Sequence, residues 1–161
     1  MSSSPEPIPA FYRVFFSTID PVIALSGVLT QLFSPATILR LYNASSSLTL
    51  PPAIETTVLL DSSAGYLLST LFLQVVMLRL RPADRTVWKC LEASILIQDV
   101  ALVAAVARSL DAQHRLAWRM VTGEEWGNLG ILVGVGVLRA AFLMGIGMEG
   151  GREARKNLKR A

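Results

Sequence analysis

The residues with the clearest chemical potential are charged residues that lie inside long apolar stretches. Asp20, Asp99 and Arg139 fall near the middle of such stretches, whereas Asp61 and Glu92 fall about one helical turn inside them. A charged side chain at the centre of a membrane helix costs roughly 2.5–3.5 kcal/mol on insertion scales. These five residues are therefore the first candidates for a functional site.

The four carboxylic acids among them are the candidate catalytic residues. A carboxylic acid in apolar surroundings is harder to ionise and can act as a general acid. No histidine, cysteine or lysine lies near the middle of an apolar stretch, so we predict that Asp20, Asp61, Glu92 or Asp99 supplies any acid. Three interpretations stay open: a polar cavity for a ligand or substrate, ion pairs that only fix helix packing, and conduction of ions or protons.

Helical spacing places several of these charges on shared faces. Glu92 and Asp99 are seven residues apart, and so are Arg13 and Asp20. Residues seven apart lie on one helix face about two turns from each other. We expect the polar faces to point towards one another and not towards lipid, with Arg139 paired to Asp20 or Asp99.

The last apolar stretch carries the candidate binding residues. Asn128 and Arg139 are eleven residues apart, close to three full turns, and should line one stripe with Leu132 and Val135. We predict that Arg139 and Asn128 contact a substrate, and we add Trp126 as a side chain on which a substrate could stack.

Four long apolar blocks must position these residues. They cover roughly residues 11–33, 57–78, 88–107 and 127–148. Each block is long enough to cross a hydrocarbon core of ~30 Å, and each is apolar on all sides. The sequence predicts an all-α fold: a polytopic transmembrane four-helix bundle that forms a single membrane domain over residues 1–161. The alternative is a soluble bundle with buried helices.

The composition excludes several function classes. Of 161 residues, 52% are hydrophobic and only 17% are charged, against about 25% charged in soluble domains. One cysteine, Cys90, excludes an internal disulfide framework, and one histidine, His114, argues against a histidine-rich metal site. The chain has no glycine-rich phosphate loop beside a lysine and no serine nucleophile elbow. We expect no metal and no other cofactor.

Basic residues predict the orientation in the membrane. Four of them lie at residues 79–89, between the second block and the start of the third, and five lie in the tail at residues 149–161, against one, Arg40, between the first two blocks. This pattern predicts cytosolic termini, a cytosolic basic tail and a lumenal first loop, where Asn43 begins a glycosylation sequon. The expected partner of the basic residues is membrane lipid, because no aromatic-interleaved basic surface suggests nucleic acid. The oligomeric state is left open.

Two local features concern backbone geometry and packing. Pro21 within the first block should kink the helix and free the carbonyl of Ser17, which a neighbouring polar group must then satisfy. The Gly130-xxx-Gly134 spacing permits close helix approach, and we expect this packing within one chain in preference to a homodimer.

A set of short motifs resembles a known group of proteins. The motifs are Pro9-Ala-Phe-Tyr-Arg-Val-Phe-Phe16, Ile19-Asp-Pro21, Ala24-Leu-Ser-Gly27, Leu59-Leu-Asp61, Asp99 and Trp126-Gly-Asn-Leu-Gly130. Together they resemble a family of small fungal four-helix integral membrane proteins of unknown function. The resemblance implies an endoplasmic reticulum protein, encoded near genes for secondary metabolites such as polyketides or meroterpenoids.

Two functions from different classes follow. The first is a membrane cyclase or isomerase of fungal secondary metabolism that uses buried carboxylic acids on a lipophilic intermediate. It draws on a fold-level analogy to fungal membrane terpene cyclases and sterol isomerase-like proteins. The second is a non-catalytic membrane component for anchoring, assembly or export. The two functions predict different structures. In an enzyme the polar stripes should line a cavity, whereas in a non-catalytic component they should be fully occupied by ion pairs.

Overall fold

The computed structural model describes residues 8–42, 51–115, 117 and 119–148 of the chain. Over these residues the structure is helical and contains no strand. We number the helices α1 (Ala10–Phe33), α2 (Pro35–Tyr42), α3 (Ile54–Leu80), α4 (Arg85–Ala112) and α5 (Gly123–Leu143). Asn43 and the basic tail lie outside the described residues.

Four of the helices are membrane spans. The helices α1, α3, α4 and α5 contain 24, 27, 28 and 21 residues and are apolar enough to cross a bilayer. Large apolar side chains cover their outer surface, including Phe33, Phe72, Ile97 and Val137, which are each more than half exposed. A soluble bundle would present a polar outer face. The predicted all-α transmembrane bundle is therefore confirmed.

Side-chain caps determine where the last two spans begin. The Asp84 carboxylate accepts hydrogen bonds from the backbone amides of Thr86 and Val87, at 3.0 and 3.2 Å, so α4 begins at Arg85. The hydroxyl of Thr122 and the carboxylate of Glu125 form a reciprocal capping box at the start of α5. Caps of this kind satisfy amides that have no partner within the helix.

Glycine ends α5 earlier than the apolar pattern suggests. Gly145 has a φ of 80°, and the Ile146 amide donates to the carbonyl of Ala141 at 3.0 Å. This geometry is typical of a glycine-terminated helix. The apolar block continues to residue 148, but the helix ends at Leu143. The Tyr12 hydroxyl then donates to the Ile146 carbonyl at 2.9 Å and joins the start of α1 to the segment that follows α5.

The spans associate as two pairs. Helix α1 packs mainly on α3, and α4 packs mainly on α5. The short helix α2 follows α1 after the break at Ser34 and contacts both α1 and α5. The bundle therefore has two distinct ends, one at the α3–α4 loop (residues 81–84) and one at α2.

An aromatic cluster fills the end at the α3–α4 loop. Phe16 and Phe142 are fully buried, with ring centroids 5.5 Å apart, and Phe142 also contacts the rings of Tyr12 and Trp88 at 5.2 and 6.1 Å. Edge-to-face contacts of this kind add to the stabilisation from close packing. The buried residues of this cluster, aromatic and aliphatic together, are Ile8, Tyr12, Phe15, Phe16, Leu78, Trp88, Phe142 and Met148.

The glycine packing in α5 differs from expectation. A Cβ atom added at Gly130 or Gly134 would meet no atom of another described element within 4 Å, so this motif does not pack against the described part of the chain. The glycines that contact another helix are Gly27, whose added Cβ would lie 3.5 Å from the Leu67 side chain, and Gly136, which faces α4; both distances are ordinary van der Waals contacts. Spacing alone identified a small-residue face but not its surroundings.

Candidate functional site

An ion cluster of four residues lies inside the bundle. Arg139 is about one turn from the end of α5, and not near mid-depth as predicted, because the helix ends at Leu143. Each nitrogen of the Arg139 guanidinium donates to a different carboxylate: Nη2 to Asp20 at 2.6 Å, Nε to Glu92 at 3.2 Å, and Nη1 to Asp99. Asp20 belongs to α1, the other two carboxylates to α4, and Arg139 to α5. The predicted pairing is therefore present with both expected partners and with Glu92. The cluster also connects the two helix pairs.

Asp20 is held by a second polar residue, Gln74 of α3. The Gln74 side-chain amide donates to the Asp20 carboxylate at 2.6 Å and to the backbone carbonyl of Phe16 at 3.0 Å. Both side chains are buried. Through Gln74, the cluster contacts all four membrane spans.

The Phe16 carbonyl needs this partner because of a π-helical turn. Residues Phe15–Ile19 are π-helical, and the Asp20 amide bonds to the Phe15 carbonyl five residues earlier. The next bond in this pattern would join residue 21 to Phe16, but residue 21 is Pro21 and has no amide hydrogen. A neighbouring polar group was expected to satisfy a carbonyl freed by Pro21. The structure places that bond at Phe16 and not at Ser17.

The same turn separates Arg13 from Asp20. A π turn adds a residue to one turn of the helix and shifts the residues before it around the axis. Asp20 is consequently buried, whereas Arg13 is exposed. The prediction of a shared face for these two residues is wrong, because it assumed a regular α-helix.

A cavity of about 280 Å³ lies between the two helix pairs, on the α2 side of the ion cluster. Asp20, Asp99 and Arg139 line its inner end, and Gln31, Tyr42 and Asn128 line its outer part near α2; most of the remaining lining is aliphatic. The polar stripes therefore meet both as ion pairs and as the end of a cavity. A small apolar-walled space with a few polar groups is the usual form of a ligand site.

The other predicted site residues lie at three different places. Asn128 lines the cavity on the same stripe as Leu132 and Val135, and its side-chain amide donates to the Leu41 carbonyl at 3.4 Å. Trp126 is 45% exposed and is not among the cavity-lining residues. Asp61 is exposed on α3, away from the cluster and the cavity.

Three glutamines belong to the site although the pattern of charged residues did not predict them. Gln31, Gln74 and Gln98 all line the cavity, and Gln98 donates to the Tyr66 hydroxyl at 3.1 Å. Their uncharged amides inside apolar blocks were an available signal, since polar residues within membrane helices usually have partners or functions. The groups to which these side chains hydrogen bond could not be predicted from the sequence.

Replacing Gln74 with leucine should destabilise the bundle by about 1–3 kcal/mol. The substitution leaves the Phe16 carbonyl without its partner and removes one donor from Asp20. Reversible unfolding in lipid nanodiscs measures the effect. Gln98→Leu is the matched control and should cost much less, because its described partner is an exposed hydroxyl. Equal effects of the two substitutions would contradict a special role for Gln74.

The chemistry possible at the inner end of the cavity depends on the charges of the groups there and on their exposure. The cluster contains three carboxyl groups and one guanidinium, so full ionisation would leave excess negative charge away from water. Glu92 is completely buried, and its Oε1 has no hydrogen-bond partner among the described residues. The Asp99 side chain keeps 16% of its surface accessible. Among the described residues no group of three or more histidine, cysteine, aspartate or glutamate side chains is arranged to hold a metal ion.

Comparison with known proteins gives a family match. The family model described as domain of unknown function DUF7704 matches residues 6–149. Neither a curated protein nor a solved structure matches the chain. The matched range contains all five helices, the ion cluster and the cavity.

Proposed function

We propose that this chain, which belongs to the DUF7704 family, binds a lipophilic small molecule in its cavity and transfers a proton to it from Asp99. The supporting observation is that an apolar-walled cavity within a membrane protein ends at Asp99 and Arg139. A lipophilic substrate would enter from the bilayer, so no phosphate-binding loop or nucleotide site is needed. Proton transfer to an alkene, epoxide or carbonyl would begin a cyclisation or isomerisation.

Asp99 is the preferred acid because it combines access with a suitable partner. Its side chain is 16% accessible, against 4% for Asp20 and 0% for Glu92. When Asp99 gives up a proton, its carboxylate remains hydrogen bonded to the Arg139 guanidinium. A cation fixed at the position where negative charge develops stabilises that charge without reorganisation.

The other members of the cluster have supporting roles in this proposal. Asp20 and Glu92 hold two of the Arg139 nitrogens and thereby fix the third towards Asp99. Because the cluster has more carboxyl groups than positive charges, uptake of protons is the simplest way to balance it. Such uptake would supply the proton that Asp99 transfers.

The biological setting is part of the same proposal. We place the protein in the endoplasmic reticulum membrane of a fungus, as a component of secondary-metabolite biosynthesis. The support is the resemblance of the opening motif around Pro9–Phe16 to small fungal membrane proteins, and the lipophilic character of the cavity. Cytosolic termini, a glycan at Asn43 and a single membrane domain complete the proposed topology.

A non-catalytic role is the second candidate, and one observation favours it. All three nitrogens of Arg139 are engaged by carboxylates from two other helices, which is what a purely structural cluster requires. In this reading the chain anchors or assembles other components. Export is less well supported, because the aromatic cluster packs one turn beyond the ion cluster in each span and favours a blind cavity.

Deletion of the gene followed by complementation tests the proposal. We expect the deletion strain to lose a lipophilic metabolite and wild type to restore it. Asp99→Asn should restore about a hundredth or less, because general acid catalysis contributes about 10²–10⁴-fold. Asp111→Asn is the matched control, since it makes the same change at an exposed site on α4, and should restore full output. Membrane levels of each protein are compared by immunoblot.

Two other outcomes would separate the functions. Full restoration by Asp99→Asn would contradict acid catalysis. If Leu102→Trp, which fills the cavity, then abolishes the metabolite while the protein is present, the cavity binds without catalysing. If neither substitution affects the metabolite, the non-catalytic reading replaces the proposal.

A further inference from the structure

The outer part of the cavity contains an unsatisfied hydrogen-bond acceptor. Gln31 lies on α1 near α2, lines the cavity and is only 6% exposed. Its side-chain oxygen Oε1 is buried and has no hydrogen-bond partner among the described residues. Burying an amide oxygen without a partner is costly, so such atoms in folded proteins usually await a ligand or an ordered water.

The position of Gln31 relative to the ion cluster defines a distance. Asp20 and Gln31 are eleven residues apart on the α-helical part of α1, a rise of about 16 Å. Asn128 and Arg139 have the same separation on α5. The cavity therefore has polar groups at two depths, about three helical turns apart, with mostly aliphatic walls between them.

We infer that the cavity selects an elongated lipophilic molecule that carries a hydroxyl or amine donor at one end, bound by the Gln31 oxygen. The opposite end of the molecule would then lie at Asp99 and Arg139. This inference rests on the proposed function and adds the class of substrate: a chain or fused-ring alcohol or amine, with its reacting group remote from the donor. The volume of about 280 Å³ lies near the lower limit for ligand sites and excludes a complete two-chain phospholipid.

Two probes with the same alkyl chain, an alcohol and its methyl ether, test the inference. 1-Dodecanol can donate a hydrogen bond, whereas 1-methoxydodecane has the same chain and can only accept one. The full chain in lipid nanodiscs is titrated with each probe, and half-saturation is read from the rise in thermal midpoint against the mole fraction of probe in the bilayer. We expect dodecanol to half-saturate at about tenfold lower mole fraction, the effect of one hydrogen bond to an otherwise unpaired acceptor.

Gln31→Met is the decisive variant, because it keeps the side-chain volume and removes the acceptor. It should bind both probes alike, and its thermal midpoint without probe should equal or exceed that of wild type. If the variant does not fold, the comparison of the two probes on the wild-type protein is sufficient to test the inference. If wild type binds both probes equally, or prefers the ether, the inference is overturned and the cavity proposal survives. If it binds neither probe, both fail.

Discussion

Replacing Arg139 with leucine should remove about 3–5 kcal/mol of stability and leave little folded protein, because it strands three carboxyl groups in the bundle. Arg139 is 4% exposed and is the described cation that all three carboxylates contact. It also contributes, with the aromatic cluster, to the contact between the helix pairs. Size-exclusion profiles of a fluorescent fusion, extracted under identical conditions, measure the folded fraction.

The pattern of rescue identifies the cause. Arg139→Leu combined with Asp20→Asn should recover part of the folded yield, and further replacement of Glu92 and Asp99 by their amides should recover more, because each step removes an unpaired charge. Arg108→Leu is the matched control, since Arg108 is exposed near the end of α4, and should leave the yield unchanged. If full amide replacement recovers nothing, the electrostatic account of the cluster is wrong.

Replacing Phe142 with alanine should lower the free energy of unfolding by about 2–4 kcal/mol. The side chain is completely buried and contacts the rings of Tyr12, Phe16 and Trp88. Phenylalanine-to-alanine changes in soluble cores cost about 3–5 kcal/mol. The value expected here is lower, because lipid is itself apolar and the loss is mainly of packing. Reversible unfolding in nanodiscs provides the measurement.

Phe72 supplies the control for this substitution. It is 63% exposed on the lipid-facing side of α3, and Phe72→Ala should change stability by less than about 0.5 kcal/mol. Similar losses at the two positions would show that the aromatic cluster contributes no specific packing.

The sequence was sufficient for the fold class because the constraint is simple. Four stretches of about 20 apolar residues must become helices in a membrane, since every backbone polar group needs a partner within its own segment. The same reasoning explains the pairing of Arg139: a charge buried among membrane helices requires an opposite charge close to it. Depth along each helix can be counted directly from the sequence, and Asp20 and Asp99 were identified in this way.

The cavity and the uncharged polar residues that line it could be identified only from the structure. Which side of a helix a residue faces depends on local irregularities, and the π turn at Phe15–Ile19 moved Arg13 away from the face of Asp20. The position of a residue along its helix also does not show which neighbouring helix it faces. The open surroundings of Gly130 could therefore not be predicted from the sequence. Gln31 and Gln74 carry no charge, and their importance comes from burial and from their partners.

The distance along the chain between Asp20 and Arg139 has a consequence for biogenesis. They are 119 residues apart, so at a synthesis rate of about 5–20 residues per second Asp20 is synthesised about 6–24 s before Arg139. Glu92 and Asp99 also precede their partner. The translocon must therefore release the two helices that carry these three carboxyl groups, or retain them, before the last span arrives. Assembly of the bundle becomes a late event governed by α5, and nascent chains that stall before it are the natural targets for membrane quality control.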